Sequence, residues 1–81
     1  ILYPVSISIK AVDRYHLLSD LIDSITNKLK LSIVNLTTVT VDEIVDCTID
    51  FSVHSVKELQ DVIAHVNMIT GVDEVRRREL K

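Results

Sequence analysis

Three groups of side chains in this sequence have the types and spacing to do chemistry. Asp13-Arg14-Tyr15-His16 sets an acid, a guanidinium, a phenol and an imidazole side by side. At a strand end beside a helix start, such a cluster can dock an anion or an amino-acid headgroup, Arg14 meeting a carboxylate and Asp13 an ammonium. The competing reading is structural, with Asp13 capping the following helix and Arg14 and His16 in solvent. Asp50, Ser52 and His54 are the residue types of a hydrolytic triad. On a strand, however, alternate residues stand about 7 Å apart, too far for a proton relay, so an exposed polar face is the better account. Arg76-Arg77-Arg78 is a compact basic run, suited to a phosphate backbone or to guarding a strand edge against aggregation. Cys47 is the single cysteine and alternates with Val45 and Ile49, which reads as a core thiol. His65 reads as helix surface. No catalytic set and no metal site emerges.

The elements that must position these groups are written in the patterning. Eighty-one residues, 47% of them hydrophobic, support one core and one domain over 1–81, with the ordered part about 5–78. The first residue is Ile1 and the only methionine is Met68, so a segment of a longer protein is expected. The net charge of −3 argues against wrapping nucleic acid over the whole surface, and aromatics at 4% leave little for base stacking. No apolar run approaches the roughly 18 residues of a membrane span, so no membrane partner is expected. A lone cysteine fits a reducing cytoplasm.

Val, Ile and Thr supply 28 of the 81 residues, which favours strands. Val5, Ile7, Ile9 and Ala11 alternate with Ser6, Ser8 and Lys10 in a first strand with one covered face. Leu17, Leu18, Leu21, Ile22, Ile25 and Leu29 follow with helical spacing. A second strand runs from Leu31 to Val41, and its change of phase predicts a bulge near Val34–Asn35. Asp42-Glu43 is a hairpin tip without glycine. Val45, Cys47, Ile49, Phe51 and Val53 face one way along a third strand. Ser55 and Glu58 form a capping box for a second helix with the stripe Val56, Leu59, Val62, Ile63, Val66 and Ile69. Gly71, the only glycine, turns the chain into a last strand over 72–78. The order β-α-β-β-α-β predicts an α+β, ferredoxin-like two-layer sandwich. Its antiparallel sheet has order 4-1-3-2, with two helices on one face.

That fold hosts many functions, and the open sheet face rejects several. Ser6, Ser8, Lys10, Asp46, Thr48 and Asp50 lack the aromatics an RNA-recognition motif needs. The first connection lacks the paired cysteines of a copper chaperone and the glycine-rich cradle of an acylphosphatase. The run from Val5 to Leu18, through Asp13-Arg14-Tyr15-His16-Leu17-Leu18, resembles the opening of an ACT domain. With Gly71-Val72-Asp73-Glu74-Val75-Arg76-Arg77 and Thr48-Ile49-Asp50, it is most similar to the C-terminal ACT domain of RelA/SpoT-type (p)ppGpp synthetase/hydrolases, the GTP pyrophosphokinases. His16 stands where the family usually carries Gly, and Ser32 where many members have Asn at the start of strand two. A His side chain there crowds the space a ligand would use.

The resemblance implies a non-catalytic regulatory domain that relays amino-acid or ribosome status to catalytic domains elsewhere in the parent chain during the stringent response. The parent would be a GTP pyrophosphokinase, a ppGpp pyrophosphohydrolase, or both. It places a small amino-acid ligand at Asp13, Arg14, Tyr15, His16, Leu17, Leu18 and Ser32, with no cofactor, and ribosome or tRNA contact at Arg76, Arg77 and Arg78. It also implies a homodimer, through the edge carrying Thr37, Val39 and Val41 or through sheet faces that set Asp46 and Asp50 against Lys10 of another copy. Two alternatives stay open: an end-product-binding feedback domain of an amino-acid biosynthetic enzyme, and a ligand-free oligomerisation module.

Overall fold

A computed structural model describes residues 1–78. Strand β1 spans Tyr3–Val12, helix α1 Leu17–Asp23, β2 Ile33–Val41, β3 Ile44–Val53, helix α2 Val56–Asn67 and β4 Val72–Arg78. The sheet order is β2-β3-β1-β4 with every neighbouring pair antiparallel, the expected order read from the other edge. Ile7 sits opposite Ile49 and Ile9 opposite Cys47, so the alternating apolar residues of the two central strands share one face. Leu17, Leu21, Ile25, Leu59, Val62 and Val66 close over that face and complete the core. Fully burying each such Leu, Ile or Val is worth about 1.5–3 kcal/mol, and most of that burial lies on β1, β3 and α2.

The expected bulge is present: β2 slips register against β3 between Ile33 and Asn35. It lets Ile33 face the core, and then Leu36, Thr38 and Thr40. A second, unforeseen shift between Lys10 and Ala11 does the same on β4, letting Val72 and Val75 both pack inward despite their spacing. The hairpin tip falls at Asp42 and Glu43, with φ of 50° and 67°, the left-handed pair that matches strand twist.

Three expectations need correction. The first helix is not one amphipathic α-helix: after Asp23 it widens into a π-helical turn over Ser24–Lys28. The wider turn carries Leu29 back to the core, its N–H donating to Ser24 O, while Leu18 and Ile22 are left exposed. Strand two starts at Ile33 rather than Leu31, because Lys30 takes the left-handed conformation (φ 60°) that ends the helix, and Leu31 is buried inside the connection. Val56 is 63% exposed rather than part of the buried stripe, since the first turn of α2 overhangs the end of the sheet.

Candidate functional site

The end of β1 is held on both sides before the polar cluster begins. Val12 N–H donates to Gly71 O at 2.8 Å, and Asp13 N–H donates to Glu43 O at 2.8 Å. The chain is thus tied at once to the α2–β4 corner and to the β2–β3 hairpin. It must then reverse into α1 within a few residues, and His16 makes the turn with φ 64° and ψ 12°. This is the conformation glycine adopts freely and a side chain adopts at a cost. His16 also stands at the helix cap and its side chain makes no capping bond, so Asp13 does not cap α1 as one reading had it.

Arg14 holds this turn in a different way from a cap, as a donor. Its Nε–H donates to Thr70 O at 2.6 Å, Nη1 to Tyr15 O at 2.7 Å and Nη2 to Asp20 Oδ2 at 2.7 Å. The planar fork therefore joins its own turn, the first turn of α1 and a corner 56 residues away. Gly71 has φ +95°, and a Cβ there would lie 3.4 Å from Arg14 Nε and 3.5 Å from Val12 O. Glycine is needed for the backbone angle, while a Cβ would meet Arg14 and Val12 at ordinary contact distance.

Beside this clasp lies a cleft of about 290 Å³ lined by Asp13, Arg14, His16, Leu17 and Leu18, with Thr38 and Thr40 across from them. Five of the seven ligand candidates are thus gathered in one place. Tyr15 is 90% exposed and lies tilted against the His16 ring, with centroids 5.3 Å apart, outside the cleft lining. Ser32 is elsewhere, in a shallow depression with Ile22, Thr26 and Leu36. Thr38 and Thr40 were not singled out in the sequence. Their signal was the bulge: beyond it, even-numbered positions of β2 face the helices, and there these two offer hydroxyls instead of apolar side chains. Asp13 and His16 take part in no ion pair among the described residues, so they are the cleft's free ionisable groups, while Arg14 is engaged within the chain. Arg14 also walls a second cleft of about 430 Å³, with Asp20, Asp23, Lys28 and His65.

The remaining candidates separate. The arginine run is divided by strand alternation: Arg76 and Arg78 face the open side opposite Ser8 and Ser6, whereas Arg77 faces the helix side opposite Ile7. Arg76 further pairs with Glu74 at 3.1 Å. The three do not make one basic patch. Lys10 lies directly across from Asp46 in the same sheet, and Asp50 across from Ser6. Ser6 Oγ and Asp50 Oδ1 are buried there without hydrogen-bond partners. His54 lies past the end of β3 and turns to Glu58, Nδ1 at 3.1 Å from Oε1, away from any relay with Ser52. His65 sits on the exposed side of α2 with Nδ1 2.8 Å from Asp61 O. Cys47 is in the core, where burial pushes its thiol up to about 11 and keeps it protonated at neutral pH. Among the described residues no three His, Cys, Asp or Glu side chains come together to hold a metal, and no helix is long and apolar enough to cross a membrane.

Against known proteins, residues 2–77 match the family model of the ACT domain. The fold superposes on the crystal structure of the ACT domain from the GTP pyrophosphokinase of Chlorobium tepidum with a TM-score of 0.85. The two are 18% identical, over 96% of this chain and 100% of that one. The solution structure of that domain gives 0.84 at 18% identity, over 99% and 90% of the two chains. A homoserine dehydrogenase from Thiobacillus denitrificans matches at 0.76 and 22% identity, over 95% of this chain and 17% of the enzyme. No curated protein matches the sequence.

Proposed function

The chain belongs to the ACT domain family of regulatory domains, and on that premise we propose that it serves a GTP pyrophosphokinase of the (p)ppGpp synthetase/hydrolase type. In that setting it relays amino-acid status to catalytic domains elsewhere in the parent during the stringent response. The observation that carries the reading is the Arg14 clasp. A ligand in the cleft touches the same guanidinium that holds the α2–β4 corner, so occupancy at one end of α1 is felt at a remote connection. Differential contacts of this kind are what regulation requires. The ligand is a small amino acid whose ammonium meets Asp13 and whose other polar groups meet His16, Thr38 and Thr40.

The domain works as a homodimer through β2. Its nine residues, Ile33–Val41, carry no charge, its outer edge has no strand neighbour among the described residues, and Val34, Val39 and Val41 are exposed. Ribosome or tRNA contact is confined to Arg76 and Arg78, the two arginines that share a face.

Calorimetric titration with the twenty amino acids tests the ligand. Saturable binding is expected from one or a few of them, weakened about tenfold or more in Asp13→Asn. Silence from all twenty with a persistent dimer would leave a ligand-free oligomerisation module. In the full-length parent, removing this domain is expected to alter the balance of (p)ppGpp synthesis and hydrolysis, and an unchanged balance defeats the relay.

A further inference from the structure

A second site lies at the other end of β1, about 30 Å along the strand from the Arg14 clasp. Among the described residues β4 pairs with β1 over Ser6–Ala11, and Tyr3, Pro4 and Val5 extend β1 beyond that pairing. α2 begins above this extension, and its first residue, Val56, overhangs it. Here lies a cleft of about 560 Å³, its accessible apolar surface supplied by Tyr3 and Val56 above the buried Val5, Val53 and Leu59. Its size and apolar lining are those of small-molecule sites, which fall in the range of about 300–1,000 Å³.

One group in it is out of keeping with the rest. Among the described, strand-paired residues Arg77 is the only charged side chain on the helix-covered face of the sheet, and it lines this cleft. It takes part in no ion pair among the described residues. The amides of Val56 and Lys57 open the helix and have no carbonyl partner within it, which adds a positive field at the same mouth. The nearby Glu58 carboxylate is turned to the His54 N–H and ring and is not part of the lining. An apolar wall beside a guanidinium that has no ion-pair partner among the described residues complements one kind of molecule.

We propose that this cleft binds small amphipathic carboxylates, with the hydrocarbon body against Tyr3, Pro4 and Val56 and the carboxylate on Arg77. The site is independent of the cleft at Arg14 and does not rest on the amino-acid reading.

Octanoate titrated into the isotope-labelled 81-residue chain, followed by backbone amide shifts, tests it. Saturable shifts are expected at Tyr3, Val5 and 53–59, with Asp13 and His16 unmoved; amino-acid ligands would shift the opposite set, so each reading fails separately. Octan-1-ol should bind about tenfold or more weakly, and octylamine more weakly still. Arg77→Gln should lower octanoate to the affinity of the alcohol, and Arg77→Lys should retain the preference. Val56→Asp keeps a residue favoured in a first helical turn, so it folds, and it should abolish binding. Equal affinity for octanoate and octanol, or full octanoate affinity in a folded Arg77→Gln, overturns the proposal.

Discussion

The two helices of this domain start in opposite ways. α2 starts on a local device: Ser55 Oγ accepts from Glu58 N–H at 3.2 Å, and the Glu58 carboxylate turns back to accept from His54 N–H. Everything needed lies within five residues. α1 has no such device. Its cap is a left-handed His16 without a side-chain bond, and its first turn is held by Arg14, which also reaches Thr70. A local cap stabilises a helix and informs nothing else. A tertiary clasp makes the start of one helix depend on a distant corner, and that dependence is what a regulatory site can use.

The sharpest way to break this contrast is to remove the clasp. Arg14→Met keeps much of the side chain's length and deletes three charge-assisted bonds, two of them to carbonyls that would then lack this donor. A loss of about 2–3 kcal/mol is expected, allowing for partial exposure and non-additivity. In a domain of this size that lowers the thermal midpoint by roughly 10–20 °C. Arg14→Lys should recover little, because one ammonium cannot reach Thr70 O, Tyr15 O and Asp20 together. Amide exchange at Thr70 and Gly71 should quicken in the same variants. A loss under about 0.5 kcal/mol in Arg14→Met, the scale of an ordinary surface substitution, would mean that α1 starts without the clasp.

The same contrast explains what the sequence could reveal. The strands of β1 and β3, the α2 cap and the bulge in β2 were legible, because each is set by alternation or spacing within a few residues. The turn at Asp13-Arg14-Tyr15-His16 was legible as a polar cluster. That Arg14 faces inward to Thr70 was not, since the contact spans 56 residues and no local pattern encodes it. The arginine run misled for a simpler reason: three adjacent charges look like one patch until strand alternation sends Arg77 to the other face. The π-helical turn was hidden because its apolar residues also satisfy ordinary helical spacing. Thr38 and Thr40 could be placed on the cleft only once the bulge had fixed the phase of β2.

A smaller pair of changes sharpens the contrast by moving the two starts in opposite directions. Ser55→Ala removes the acceptor for Glu58 N–H and should cost about 1 kcal/mol, as cap deletions do. His16→Gly removes a side chain from a left-handed position and should stabilise by about 0.5–1 kcal/mol, the relief of strain being partly offset by a more flexible unfolded chain. Denaturant midpoints at constant m-value measure both. A destabilising His16→Gly would show that the imidazole makes a contact worth more than the strain, and the cleft at α1 would then depend on it.

The smallest effect is a dependence on pH at the locally capped start. Glu58 is held below its ordinary value of 4.5, chiefly because its carboxylate accepts the His54 backbone N–H, with the His54 ring adding to the same preference. The unfolded chain therefore takes up this proton at higher pH than the folded one does. Unfolding is accompanied by proton uptake as pH falls through that interval, so stability declines there. The contribution is complete above the ordinary value and is lost as pH falls through the lower folded value. Because the group is exposed the slope is small and is screened by salt. Thermal midpoints of the parent chain and Glu58→Gln, compared from about pH 6 down to about pH 3, should converge toward the acid end. Parallel curves would show that the carboxylate does not close the α2 cap, and the two helix starts would then differ less than their geometry indicates.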